Sequence, residues 1–132
     1  MKEFPVKTNK RCEMVDITRQ VAGAVKESGA DIGIACVFVP HTTAGITINE
    51  NGDPDVRRDL LFALERAIPN TGFAHAEGNS DAHTKALMTG ASINVIFEHG
   101  ALCLGTWQSI YFCEYDGPRN RRVYVKLVQS NL

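Results

Sequence analysis

Residues 91–129 read ASINVIFEHGALCLGTWQSIYFCEYDGPRNRRVYVKLVQ, and no part of this stretch has a helical period. SINVIFE, ALCLGTWQSIYFCEY and RRVYVKLVQ have the β-branched and aromatic content of strands. The dipeptide His99-Gly100 and the tripeptide Asp116-Gly117-Pro118 supply the turns between them. In the last run Val123, Val125 and Leu127 alternate with Tyr124 and Lys126, so its two faces meet different surroundings. The middle run reads as one long strand, expected to bend or bulge at Gly105, with Trp107 packed in the core. The C-terminal third is thus a β-meander.

Working back toward the N-terminus, the period changes. Lys2 to Arg11 reads as extended, with a turn near Thr8-Asn9-Lys10. Asp16 or Thr18 is placed to cap a helix running to about Ser28, with Val21, Ala22 and Val25 on one face and Gly29 as its stop. From Asp31 to Val39 the sequence DIGIACVFV is almost wholly apolar, which predicts a central strand ended by Pro40. A short alternating strand, Ile46 to Asn49, follows. Asp53-Pro54 is an N-cap with proline at the first helical position. Behind it Val56, Leu60, Leu61, Leu64, Ala67 and Ile68 recur at helical spacing until Pro69. Asn79 or Ser80 opens a third, short helix to about Met88, with Gly90 as its end. Helices interleaved with strands early and a meander late predict an α+β sandwich, one domain over 1–132.

Composition narrows the function classes. The 132 residues are 44% hydrophobic and 22% charged, enough apolar content for one packed core. A net charge of -1 gives no global attraction to nucleic acid or to a membrane surface. No apolar run has the length of a membrane span and the N-terminus has no signal-like segment, so a cytoplasmic location is expected. The four cysteines form no C-x-x-C pair; Cys36 and Cys103 sit in apolar stretches and read as small buried hydrophobes.

The polar signal concentrates in two segments. HTTAGITINEN (41–51) puts His41, Thr42 and Thr43 at the mouth of the apolar strand, with Gly45 allowing close approach of a ligand and Asn49 and Glu50 ending the next strand. HAEGNSDAH (75–83) gathers His75, Glu77, Asn79, Asp81 and His83 across a loop-to-helix junction. His75 and His83 can converge on one ion with Asp81 or Glu77 ligating or orienting them, while free helix N–H groups offer a phosphate site. The competing reading is a polar turn and a capped helix with surface histidines. Thr106 and Gln108 share a strand face and can present polar groups to a pocket. Arg119, Arg121 and Arg122 are candidate anion contacts, though a solvated basic strand edge explains them as well.

These segments, in order HTTAGITINEN, DPDVRRDL, HAEGNSDAH, LGTWQ and DGPRNRRVYV, resemble the YjbQ family, also described as secondary thiamine-phosphate synthases. The resemblance extends from about Phe4 to Val128. It implies a sandwich of mostly antiparallel sheet with about three helices, assembled as a homotrimer with polar pockets near subunit boundaries. It also implies a weak thiamine-phosphate synthase activity, which joins hydroxymethylpyrimidine diphosphate to thiazole phosphate. On this footing His41, His75, His83, Asp81 and Glu50 are expected to be catalytic. Thr43, Asn49, Asn79, Gln108 and Arg119 are expected to bind a phosphorylated small-molecule substrate. A divalent ion, Zn or Mg, is expected on His41, His75 and His83. Histidines suit zinc better than magnesium, which keeps open a metal-dependent hydrolase; a non-catalytic metal- or anion-binding trimer is the reading from another class.

Overall fold

The computed structural model of the chain describes residues 1–131. Two antiparallel sheets form it. The first has five strands in the order β1 (Lys2–Lys7), β8 (Asn120–Gln129), β3 (Gly33–Phe38), β5 (Ser92–Glu98) and β6 (Ala101–Leu102). The second has three: β2 (Glu13–Asp16), β7 (Gln108–Glu114) and β4 (Ala44–Glu50). Read along the chain, every connection except the β5–β6 hairpin changes layer.

The inner face of the five-stranded sheet carries Val6, Ala35, Val37, Val95, Phe97, Val123 and Val125. It packs with Ala44, Ile46, Ile110 and Phe112 of the three-stranded sheet, and with helix α1 (Thr18–Ser28) through Val21, Ala24 and Val25. Ala24 takes the buried place that the sequence pattern gives to Ala22. Asp16 accepts from the Thr18 N–H at 3.0 Å, the Thr18 hydroxyl accepts from Ile110 N–H at 2.8 Å, and Gly29 closes the helix in the left-handed region. A second apolar cluster lies on the other side of the three-stranded sheet. There Met14, Tyr111, Cys113 and Tyr115 meet helix α3 (Ser80–Thr89) through Ala82 and Ala86, with Leu60, Leu61 and Leu64 of helix α2 (Pro54–Ala67) against them. Asp53 caps α2 by accepting from Asp55 N–H at 2.9 Å. Among the described residues no helix is long and apolar enough to cross a membrane.

Three expectations change. The run 101–115 is not one bent strand; β6 ends at Leu102 in one sheet and β7 begins at Gln108 in the other, so the segment around Gly105 is the crossing between layers. Trp107 lies in that crossing and is 64% exposed rather than in the core, its ring resting on Gly52 where a Cβ would come within 2.7 Å of it. Cys103 is exposed as well, and Cys36 half-buried. A strand not foreseen from the sequence, β2, pairs along β7 from Glu13↔Glu114 to Asp16↔Tyr111.

Candidate functional site

At one end of the three-stranded sheet the β3–β4 loop, the loop leading into α3 and the β7–β8 turn meet around an open cleft of about 480 Å³. Thr43, His75, Glu77, Asn79, His83 and Arg119 line its walls. The alternation that builds the strands also builds the floor. Glu114 lies on the same face of β7 as Ile110 and Phe112, and Arg121 on the same face of β8 as Val123 and Val125. Both charges are therefore carried inward.

Glu114 is fully buried and accepts from Thr8 Oγ1 at 2.7 Å, Arg121 Nε at 2.8 Å, a second guanidinium nitrogen of Arg121, and the N–H groups of Tyr115 and Asp116 at 3.1 Å each. Burial alone would raise its pKa, but the Arg121 guanidinium, the Thr8 hydroxyl and the Asp116 N–H outweigh it and hold the carboxyl below its ordinary value. Arg121 also donates to Thr43 Oγ1 at 2.8 Å. One step outward, Asp116 accepts from Asn79 Nδ2 and from Arg119, each at 3.0 Å, while Arg119 Nε donates to the Asp116 carbonyl at 2.7 Å. Burial opposes ionisation of Asp116 too, yet these donors keep its pKa depressed.

His75 and His83 come together over this floor, their rings edge to face with centroids 5.9 Å apart. Gly78 makes the approach possible: its positive φ of 75° turns the chain between the two histidines, and its N–H donates to the His75 carbonyl at 3.3 Å. Asn79 precedes α3 as foreseen but caps it with no side-chain bond: its Nδ2 donates to Asp116, and its Oδ1 is buried with no partner among the described residues.

The other site candidates are not in this cleft. His41 lies in an adjoining depression with Phe4, Asn120 and Arg122, and its Nε2 accepts from the Arg122 N–H at 3.0 Å. Burial first, then the charges of Arg121 and Arg122, push its pKa below the usual imidazole value. Its neutral form thus carries the proton on Nδ1. Asp81 turns away from the imidazoles: fully buried, it takes both ends of the Arg11 fork at 3.0 and 2.9 Å and lies 3.4 Å from Lys85 Nζ, which also donates to Glu65 at 2.7 Å. It joins α3 to the β1–β2 turn. Glu50, Asn49 and Gln108 sit at the far end of β4 and β7, separated from Thr43 by the seven residues of β4, about 20 Å of strand. There Glu50 accepts from the N–H groups of Gly52 and Asp53 at 2.9 Å, Asn49 from Glu50 N–H at 2.8 Å, and Gln108 from Gly105 N–H at 2.8 Å. The close approach foreseen at Gly45 is made by Thr89 and Gly90 at the end of α3.

Among the described residues of the single chain, two of the three candidate metal-binding imidazoles come together. His75 and His83 offer two imidazoles, the third is held elsewhere, and among the described residues no group of three histidine, cysteine or acidic side chains is arranged around a common point. Glu114 and Asp116 are the groups that sequence reasoning missed, while Arg121 was named there as one of three candidate anion contacts. A charge sharing a strand face with Ile110 and Phe112 was the available signal for Glu114.

The profile of the family described as UPF0047 protein YjbQ-like matches residues 2–130. The UPF0047 protein YugU of Bacillus subtilis is 52% identical over 97% of this chain and 98% of its own length. A UPF0047 protein of Methanocaldococcus jannaschii is 53% identical over 96% of this chain and 92% of its own. Among solved structures, a YjbQ/UPF0047 protein of Clostridium acetobutylicum is 54% identical and superimposes with a TM-score of 0.95, covering 97% of this chain and 100% of that one. A protein of Sulfolobus solfataricus at 34% identity still superimposes with a TM-score of 0.93, over 98% and 96% of the two chains. With the profile matched from the second residue to the antepenultimate, and more than half of all positions shared with one relative, the chain belongs to the YjbQ/UPF0047 family.

Proposed function

We propose that the cleft binds a phosphorylated small molecule and that the protein is a weak thiamine-phosphate synthase-like transferase. The observation that supports this is the pairing of His75 and His83 above a floor whose carboxylates are already neutralised by arginines. In the reaction the thiazole ring nitrogen attacks the exocyclic methylene of hydroxymethylpyrimidine diphosphate. A C–N bond forms, the C–O bond to the diphosphate breaks, and pyrophosphate leaves. A protonated imidazole of the pair donates to the departing oxygen, and Arg119 offsets its charge.

The same reading includes self-association as a homotrimer. It is supported by the outer face of the five-stranded sheet, where Ile34 registers with Ile96 on one side and Val128 on the other, and Phe38 stacks on Tyr124 with centroids 6.2 Å apart. Ile34, Phe38, Ile96 and Val128 are all exposed in the single chain.

The test is formation of thiamine phosphate from the two substrates by purified protein, with His75→Ala and His83→Ala measured separately. At least one substitution is expected to lower the rate by about 100-fold, the low end of general acid catalysis. Wild-type rates in both would end the transferase reading.

A further inference from the structure

Arg121 is unusual among the arginines of this protein in how its donors are divided. The residue is only 6% exposed. Its Nε and Nη2 are consumed on the inner side by Glu114 and Thr43. Among the described residues its Nη1 has no acceptor, and Arg121 lines the cleft that also holds Thr43, His75 and His83. Thr43, 7% exposed, is in the same position: its Oγ1 accepts from Arg121, and the hydroxyl hydrogen has no acceptor among the described residues. Both are unspent donors on largely buried side chains at the edge of one opening, so an oxyanion placed there accepts from both at once.

The Glu114 carboxylate beside the guanidinium is fully engaged, while Asn79 Oδ1, elsewhere in the cleft lining, is buried and accepts from no described residue. Both Glu114 oxygens are taken by Arg121, Thr8 and backbone N–H groups, and Asp116 Oδ2 by Asn79 and Arg119. Arg119 is held differently: its guanidinium lies on the rim, half exposed, and is drawn sideways to Asp116. The fixed, nearly dry donors are those of Arg121 and Thr43. Glu114 grips one side of the guanidinium fork and so aims the other, which removes much of the ordering cost of binding.

We propose that Arg121 Nη1 and the Thr43 hydroxyl form a preformed oxyanion subsite on the cleft floor, which seats a phosphate group of the ligand, with Glu114 as the positioning residue. This deepens the reading of the cleft as a site for phosphorylated small molecules and rests on it. Arg121, rather than Arg119, is then the anchor for the anion, because its N–H groups meet an oxyanion where water competes least.

Isothermal titration calorimetry of the full chain with inorganic phosphate tests this. Thr43→Val keeps the shape of the side chain and removes the hydroxyl, and is expected to weaken phosphate binding about tenfold. Arg121→Lys is expected to weaken it at least as much. Arg122→Gln, which removes an exposed charge from the neighbouring depression, is expected to stay within about twofold. Circular dichroism establishes that each variant is folded; should Arg121→Lys fail to fold, Thr43→Val still decides. Phosphate affinity unchanged in folded Thr43→Val, an equal loss in Arg122→Gln, or no phosphate binding by the wild type would each overturn the subsite. The transferase reading fails separately: phosphate binding that follows the expected pattern without thiamine-phosphate formation removes the reaction and leaves the subsite. Condensation that depends on His75 or His83, with phosphate binding indifferent to Thr43, removes the subsite and leaves the reaction.

Discussion

Glu114 and Arg121 neutralise one another where no water screens them, and each has further hydrogen bonds that fix its direction. Removing one charge strands the other. Glu114→Gln leaves the guanidinium buried against a neutral amide, and is expected to cost about 3–5 kcal/mol, read as a lower urea midpoint. His41 adds a pH effect at a different range. Its folded pKa is depressed, so on acidification the unfolded chain takes up a proton first, and stability falls as pH drops below about 6.5. The depressed carboxyl of Glu114 acts lower, its contribution being present above about 4.5 and lost as pH falls through the folded value. His41→Gln is therefore expected to flatten the dependence of the urea midpoint on pH between 7.5 and 5.5; an unchanged slope would assign that dependence to other groups. At this scale the sequence was legible where the contacts are local. His75 and His83 lie in one nine-residue segment and do converge. His41 does not join them, because a backbone N–H of β8 claims its free nitrogen, and such pairing across strands leaves no trace in spacing. Asp81 misled for a similar reason: its partner Arg11 is seventy residues away in the chain.

Helix α2 was the most readable element, since Asp53-Pro54 is a start signal that acts within one turn. Its packing is shallow: no residue between Pro54 and Ala67 is fully buried, and Phe62 is exposed. Such a helix depends on its cap more than a core helix does. Asp53→Ala is expected to cost about 1 kcal/mol. Hydrogen exchange should show the loss locally, with α2 amides exchanging faster while β3 and β8 stay protected. Equal acceleration in those strands would mean that α2 is an integral part of the core. The middle run of the C-terminal meander was misread for a physical reason. ALCLGTWQSIYFCEY has strand-like residues on both sides of Gly105, and residue type does not say which sheet a strand joins. Trp107 shows the same limit: glycine beside tryptophan suggested close packing, and the packing exists, but against Gly52 on the surface.

For the molecule as a whole, the sequence correctly implied two layers and three helices, while the outer face of the large sheet decides what surrounds it. The row Val128–Ile34–Ile96 crosses three adjacent strands without a charge. Ile96→Lys puts an ammonium in this row, and under the proposed assembly light scattering is expected to give a monomer for the variant and a trimer for the wild type. A monomeric wild type would remove the trimer from the proposal. The path of the chain has its own consequence. Because every connection but the short β5–β6 hairpin passes from one layer to the other, no contiguous stretch of sequence beyond that hairpin builds part of a sheet by itself. Distant segments must be gathered, and their loop entropy surrendered, before any further ladder is rewarded. Folding should accordingly be slow for so small a protein, and the two layers should appear and vanish together as a single cooperative unit.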